Sequence, residues 1–542
     1  MPHRQSAFVP FRHRDFRTLW GASLMSNFGG LVQGVGAAWA MTLLTTSPTL
    51  IALVQATTTL PVMLFAMFSG ALADNFDRRR IMLTAQSLMF GFSVLLAVIA
   101  WMDGLTPWLL LGLTFLIGAG TALHNPSWQA SMGDLVPRDD LPAAVSLNSM
   151  GFNLMRSVGP AVGGIIVASF GASVAFAVNA VSYLPLIGAL ARWRPTRRDR
   201  AMTRESLGPA VAAGLRYVAL SPNILRVMLR AGLFGFSAVS ILALLPLVVR
   251  DLTGGGSFIY GILLGCFGIG AIGGALLNAR LRAALGNEWI VRLAFVIFGV
   301  SAFVLSQSRV PALSALTMLP AGAAWVLALS LFNVSVQLST PRWVLGRALS
   351  LYQVSSFGGM AAGSWVWGMV ATAQGVDAAL AASALAMLVG AVAGIFLALP
   401  EFTPLDLDPL GRFREPVLRL DLRRSSGPIM IMVDYRIDLA DVPEFLRLMT
   451  ERRRIRRRDG ARNWALLRDL EAPEIWTESY HVATWDEYLR HNLRRTKADA
   501  EVTEALRALH RGDEPPRVHR MIERHSVSPA DDLPLRSPVD IS

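Results

Sequence analysis

Cysteine is almost missing from this chain of 542 residues: Cys266 is the single one, in an apolar glycine-rich stretch, so an intramolecular disulfide is excluded and no redox or metal spacing is present. Charge is scarce too, at 16% of residues against roughly 25% in an ordinary soluble chain. Acidic residues are absent from the interiors of the long apolar runs; Asp74 and Asp134 stand near their ends. What fills the sequence instead is hydrophobic, 53% of residues with a mean hydropathy of +0.45. A soluble enzyme with buried helices needs apolar runs of about 8 to 15 residues, whereas these repeatedly exceed the ~18 that cross roughly 30 Å of hydrocarbon. Met1–Arg17 is polar and the run after it is too long for a cleaved leader, so none is expected. The net charge of +12 divides unevenly: residues 1–400 hold 25 basic against 12 acidic residues, residues 401–542 hold 25 against 26. The excess therefore lies in the apolar part, where it fits cytoplasmic loops better than a nucleic-acid surface, and no nucleic-acid partner is expected.

The apolar runs predict an all-α polytopic membrane protein with twelve transmembrane helices in two six-helix halves. The spans fall near 19–44, 50–73, 81–101, 108–132, 143–169 and 174–190, then 231–249, 258–279, 289–307, 312–334, 347–371 and 377–399. The first half occupies residues 1–191, a basic cytoplasmic linker with a surface helix 192–230, and the second half 231–400. With the amino terminus inside, the inner turns collect Arg78 to Arg80, Arg138, Arg192 to Arg204, Arg280, Arg282, Arg342 and Arg347. The outer turns hold only Asp103, Arg250, Asp251, Arg309 and Asp377. That asymmetry predicts cytoplasmic amino and carboxyl termini, with lipid around the helices. Forty-six glycines and twenty-nine prolines suit membrane helices, which use small residues for close approach. An echo at an offset of 204 relates Pro137-Arg138 to Pro341-Arg342, and Gly159 and Gly164 to Gly363 and Gly368, as in a duplicated unit whose halves rock about a midplane site.

Two segments carry candidate gating residues. The turn Gly70-Ala-Leu-Ala-Asp74-Asn-Phe-Asp-Arg78-Arg79-Arg80 is either a positive-inside loop or a clasp, in which Asp74 pairs with Arg78 or a neighbouring basic residue and Gly70 permits close approach. In the fifth span, Asn153-Leu-Met-Arg156-Ser-Val-Gly159-Pro160-Ala-Val-Gly163-Gly164 places an arginine near mid-membrane. A charge there costs several kcal/mol unless it faces protein or water, so Arg156 serves gating or function, or else a structural pair. Gly159, Gly163 and Gly164 offer a smooth packing surface and Pro160 a kink. Polar and aromatic residues within spans supply candidate substrate ligands, each with interhelical hydrogen bonding as the alternative. They are Asn27, Gln33, Trp39, Gln55, His124, Asn125, Gln129, Ser237, Ser240, Trp325, Asn333, Tyr352 and Gln353.

Residues 8–400 resemble the major facilitator superfamily, and within it the bacterial efflux branch of the enterobactin-exporter type. Gly70 to Arg80 resembles the loop signature between its second and third helices, with Asp77 where a glycine is usual. Gly159-Pro160-Ala-Val-Gly163-Gly164 is similar to the fifth-helix motif of its antiporters, and Asn125-Pro-Ser-Trp-Gln129 with Pro137 and Asn148 is similar to the exporter branch. The resemblance implies alternating-access export of siderophores, macrolides or other drug-like compounds in exchange for protons.

Past Glu401 the composition turns charged and alternating. After a linker at 401–427, strands at 428–437, 461–469, 475–482 and 517–523, with helices at 441–457, 485–495 and 500–510, predict a ferredoxin-like α+β domain over 428–525. Residues 526–542, rich in proline and aspartate, are expected to be disordered. The domain resembles the dimeric α/β barrels of the antibiotic-biosynthesis monooxygenase type, which implies a homodimer. Asn463, Trp464, Tyr480, His481 and His491 suggest catalysis at first sight, but no metal or nucleophile spacing accompanies them. Neither enzymatic activity nor a cofactor is therefore expected, and the tail reads as a dimerisation or regulatory module. The run Arg452-Arg-Arg-Ile-Arg-Arg-Arg458 reads as a solvated helix face or one lying on anionic headgroups. A membrane-anchored enzyme or a sensor whose tail is the active or partner-binding module is the competing interpretation.

Overall fold

A computed structural model describes residues 9–137, 140–194, 207–341, 343–399 and 415–523, together with 407, 410 and 413. Arg138, Arg342, most of the basic linker run and the terminal segment 526–542 lie outside the described residues, as do the side chains of Gly70, Asp74 and Asn153. The chain divides into two compact units, Met1–Glu205 with Arg226–Val336 and Leu349–Glu401, and Ser206–Leu225 with Gln337–Ala348 and Phe402–Ser542.

The first unit is helical throughout. Its amino-terminal part comprises α1 (Arg14–Leu44), α2 (Pro48–Asn75), α3 (Arg78–Trp101), α4 (Pro107–Leu135), α5 (Leu141–Phe170) and α6 (Ala172–Arg192). After α7 (Leu207–Ala219), which belongs to the second unit, follow α8 (Pro222–Leu247), α9 (Ser257–Ala284), α10 (Asn287–Gln307), α11 (Pro311–Leu338), α12 (Leu345–Gln374) and α13 (Val376–Phe396). Local chemistry sets the boundaries. Pro48 and Pro107 open α2 and α4, where a missing N–H is harmless, and the Asp77 carboxylate accepts from the Arg79 N–H at 2.9 Å to cap α3. Gly171 turns α5 into α6 at φ +82°, and Gly375 turns α12 into α13 at φ +95°, a conformation that favours glycine. These two turns stand 204 residues apart, so the sequence echo extends into backbone geometry.

Ten helices among the described residues are long and apolar enough to cross a membrane. The expected twelve spans in two six-helix halves are corrected accordingly. The helices that drop out are α1 and α12, with 31 and 30 residues respectively; they have the length, but their glycine, serine and amide residues leave them less apolar. Their polar side chains are used against protein: Ser26 of α1 donates to Gln86 Oε1 at 3.3 Å, and Ser355 of α12 to the Met228 carbonyl at 2.7 Å.

The second unit is built on a four-stranded antiparallel sheet. Its strands are β1 (Ile429–Arg436), β2 (Arg462–Arg468), β3 (Ile475–Val482) and β4 (Val518–Ile522), in the order β2-β3-β1-β4. Between them run α14 (Val442–Arg458), α15 (Trp485–Leu493) and α16 (Lys497–Leu509). Alternate residues Ile429, Ile431, Val433 and Tyr435 of β1 face a core shared with Phe445 and Met449 of α14, Tyr488 of α15 and Leu506 of α16. The helices and strands fall within a few residues of the sequence expectation, but the sheet is open, with β2 and β4 as opposite edges. This corrects the closed α/β barrel suggested for the tail: four strands are half of the roughly eight that a filled barrel requires.

The run Arg452 to Arg458 is corrected in part, since Arg453 and Arg457 are exposed as a solvated face requires. Arg452, Arg456 and Arg458 are buried rather than solvated or lipid-facing. Arg452 and Arg456 share Glu478 of β3 at 2.8 and 3.1 Å, while Arg458 holds Asp459 at 3.0 Å and Asp499 at 2.8 Å. The same helix binds two pieces of the chain from between membrane helices. Arg454 donates to the Leu220 carbonyl at 3.1 Å, just past the end of α7, and the Arg458 guanidinium lies 5.1 Å above the Tyr217 ring. Tyr217 meets Trp343 edge-on at 5.6 Å, and Arg494 lies 4.2 Å over Trp343. The α6–α8 and α11–α12 connections thus fold together with the tail.

Candidate functional site

Arg156 is the fifteenth residue after Leu141, about 22 Å along α5. It is half-buried, and among the described residues its guanidinium has no carboxylate in ion-pair range; its contact is the face of Trp325 on α11, 5.7 Å away. Trp325 is itself enclosed by Phe267, Phe298 and Phe234, with ring centroids at 5.9, 6.1 and 6.2 Å. An aromatic wall next to an unneutralised cation is the arrangement that cation–π attraction stabilises in low dielectric. Among the described residues, the buried indole Nε1 of Trp325, Nδ1 of His124 and Oγ of Ser237 also have no protein partner. Such groups cost free energy until a ligand or solvent atom meets them. Of the residues chosen from sequence, His124, Ser237 and Trp325 thus carry buried polar atoms without a protein partner among the described residues, and Arg156 lies beside Trp325.

Other choices are committed to packing. Gln33 accepts from the Asn179 amide, which also donates to Ser93 Oγ at 3.0 Å and Tyr183 Oη at 3.1 Å, a buried network joining α1, α3 and α6. Ser240 donates to Ser383 of α13 at 2.8 Å, and Tyr352 to the Leu329 carbonyl of α11 at 3.2 Å. Asn125 and Gln129 are exposed on α4, while Asn27, Gln55, Asn333 and Gln353 are half-buried. Trp39 stacks on Tyr260 of α9 at 6.2 Å and 27°.

The basic turn acts as a staple. Arg78 donates to Asp134 at 3.0 Å and to the Ala130 carbonyl at 2.8 Å; Arg79 donates to the Leu190 and Ala191 carbonyls at 2.8 and 2.7 Å. Two arginines at the start of α3 thus close the carboxyl ends of α4 and α6, where the helix dipole is negative. Arg80 is exposed, 3.9 Å from Asp77. The fifth-helix glycines are packing seams. Gly159 and Gly163 lie against Leu31, Val32 and Val35 of α1. A Cβ on Gly164 would come within 2.5 Å of the Gly261 Cα, and one on Gly261 within 3.2 Å of the Pro160 carbonyl.

Sequence reasoning missed two clusters. Glu288 of α10 receives Arg230 at 2.6 Å, Arg292 at 2.7 Å and the Leu399 N–H at 2.8 Å, and Arg292 also donates to the Gly394 carbonyl of α13 at 2.8 Å. The i,i+4 spacing of Glu288 and Arg292 was a legible signal, whereas Arg230 was hidden by its assignment to the linker. At the opposite helix ends, Arg250 after α8 donates to the carbonyls of Thr42 and Thr45 at 3.1 and 3.5 Å, and Thr49 pairs with Thr372 at 2.8 Å.

The sequence profile of the family described as transmembrane secretion effector matches residues 5–527, tail included. The chain is 24% identical over 290 residues to the staphyloferrin A transporter of Staphylococcus aureus, covering 52% of this chain and 71% of that protein. It is 24% identical over 412 residues to the multidrug efflux pump Tap of Mycobacterium bovis, covering 73% and 96%. Among solved structures, the POT family transporter PepTSo superposes with a TM-score of 0.58 at 13% identity, over 71% of this chain and 98% of that one, a likeness of fold alone. The chain therefore belongs to the transmembrane secretion effector family of major facilitator transporters, as a multi-pass inner-membrane protein that carries small molecules.

Proposed function

We propose that the protein exports a siderophore-like or drug-like molecule by alternating access, in exchange for protons, past Arg156. The observation that carries this reading is the Arg156 guanidinium over Trp325 with no carboxylate partner among the described residues. A cation held beside an aromatic wall recognises a ligand that brings both an acidic or strongly accepting group and a planar apolar face. The names of the relatives, a siderophore transporter and a multidrug pump, support that class of cargo.

The charge asymmetry of the turns supports assigning the Arg78 end to the cytoplasm and the Arg250 end to the outside. On that assignment the outer end is closed by Arg250 on the α1 terminus, the Trp39–Tyr260 stack and the Thr49–Thr372 pair. Export requires these contacts to break while an inner clasp forms, and Asp74 with the turn's arginines is the candidate for it. Such a change shifts a two-state equilibrium and leaves bulk packing intact.

The test uses acidified everted vesicles containing wild type or Arg156→Ala at matched insertion, challenged with catecholate siderophores, macrolides and planar cationic drugs. The expected result is that one compound discharges the pH gradient in wild type, with the Arg156→Ala rate down by at least about tenfold, the equivalent of one lost charged contact. Equal rates in both proteins refute the role of Arg156. Net movement of a compound with no proton release refutes proton exchange.

A further inference from the structure

One cluster among the described residues of the tail holds more guanidinium than carboxylate, with Arg452, Arg456 and Arg458 buried and Arg495 half-buried. Arg452, Arg456, Arg458 and Arg495 bring four positive charges; Glu478, Asp459 and Asp499 bring three negative ones, all within one connected network. The unmatched charge falls on Arg495. Among the described residues no carboxylate lies within ion-pair distance of it, and its acceptor is the neutral hydroxyl of Thr503, at 2.7 Å from Nη2. Arg452 Nη1 donates to the same oxygen at 3.1 Å. Two guanidinium groups thus converge on one hydroxyl, an arrangement favourable only if something else offsets their repulsion.

Beside that hydroxyl is a small pocket, open to solvent and with a free interior of about 10 Å³, walled by Arg452, Arg456, His491, Arg495 and Thr503. The acidic side chains on its wall are already engaged. Asp499 accepts from Arg458 at 2.8 Å and from the Thr496 hydroxyl at 2.7 Å, and Asp459 accepts from Arg458. His491 is equally occupied, with Nε2 facing Arg456 Nη1 at 3.0 Å and Nδ1 facing the Asp459 carbonyl at 3.3 Å. Burial, together with the charge of Arg456, holds this imidazole well below its usual range, so it is neutral and adds no competing cation. Burial and the repulsion of Arg456 and Arg452 draw the Arg495 guanidinium down to about 10.

We propose that this pocket is a binding site for a small oxyanion, with Arg452, Arg456 and Arg495 as its ligating residues and a carboxylate or phosphate group as its ligand. Guanidinium forks match the oxygen spacing of either group and bind it with charge-assisted hydrogen bonds. The site lies in the part of the chain outside the membrane helices, so the oxyanion is a ligand of the tail, distinct from the cargo passing Arg156.

The test is hydrogen exchange of the full chain in lipid nanodiscs, with millimolar inorganic phosphate, acetate or chloride at matched ionic strength. Phosphate or acetate is expected to slow exchange several-fold over residues 495–509 relative to chloride. In Arg495→Gln, which removes a repulsive charge and so preserves the fold, the concentration needed should rise by at least about tenfold. Protection by phosphate alone identifies a phosphorylated ligand, by acetate alone a carboxylate, and either supports the site. Exchange equal in all three salts overturns the proposal, as does protection that Arg495→Gln leaves unchanged.

Discussion

At Glu478 two guanidiniums and the Trp464 indole N–H converge on one carboxylate that solvent does not reach. Burial alone would push this carboxyl up, but Arg452 and Arg456 more than offset it and hold it at about 2. Because the folded value lies below the ordinary 4.5, the carboxylate's stabilisation is complete above pH 4.5 and is lost as the pH falls towards 2. Glu478→Gln leaves two buried cations uncompensated and is expected to lower stability by about 3–5 kcal/mol. In melting experiments on the full chain it should also flatten the acid-side decline of the tail transition. A variant that melts like wild type and keeps that decline contradicts the assignment. The sequence showed seven residues crowded with arginine and led to a solvated surface, because two of the three neutralising carboxylates, Glu478 of β3 and Asp499 of α16, are brought to α14 only by the fold. Arg156 was legible for the opposite reason: a charge isolated inside an apolar run stands out without any knowledge of its partner.

Among the elements, α2 and α4 start within two residues of the expected spans, where Pro48 and Pro107 open them, whereas α1 and α8 start five and nine residues earlier than expected. Asp77 looked like a departure from the usual loop signature, and the structure gives it work as the cap of α3. Replacing a capping aspartate with alanine costs about 0.5–2 kcal/mol, with glycine only a few tenths. Asp77→Ala should therefore melt measurably below wild type while Asp77→Gly stays close to it; equal losses in the two variants would mean the carboxylate is not the cap. The number of membrane spans was less readable, because length and apolarity disagree in α1 and α12, whose serines and glutamines are spent on neighbouring helices. Closure of the sheet was not readable at all: strand positions follow from alternation, but nothing in alternation says whether the two edges meet.

In the molecule as a whole, the offset of 204 runs from sequence into structure. Gly159 packs on Leu31 of α1 and Gly363 on Phe236 of α8, and the turns at Gly171 and Gly375 repeat each other. The family match through residue 527 shows that the tail is part of this transporter type, and its arginines hold the α6–α8 and α11–α12 connections by contacts too distant in sequence to be foreseen. The central claim is that transport requires the Arg250 end of the helices to open and close. Thr49 and Thr372 meet there at 2.8 Å, one from α2 and one from α12, so the decisive measurement is transport by Thr49→Cys/Thr372→Cys in a Cys266→Ser background, before and after oxidation. Cross-linked protein is expected to stop discharging the pH gradient with the compound to which wild type responds, and reduction to restore the rate. Full turnover by protein shown to be cross-linked would contradict alternating access through this end.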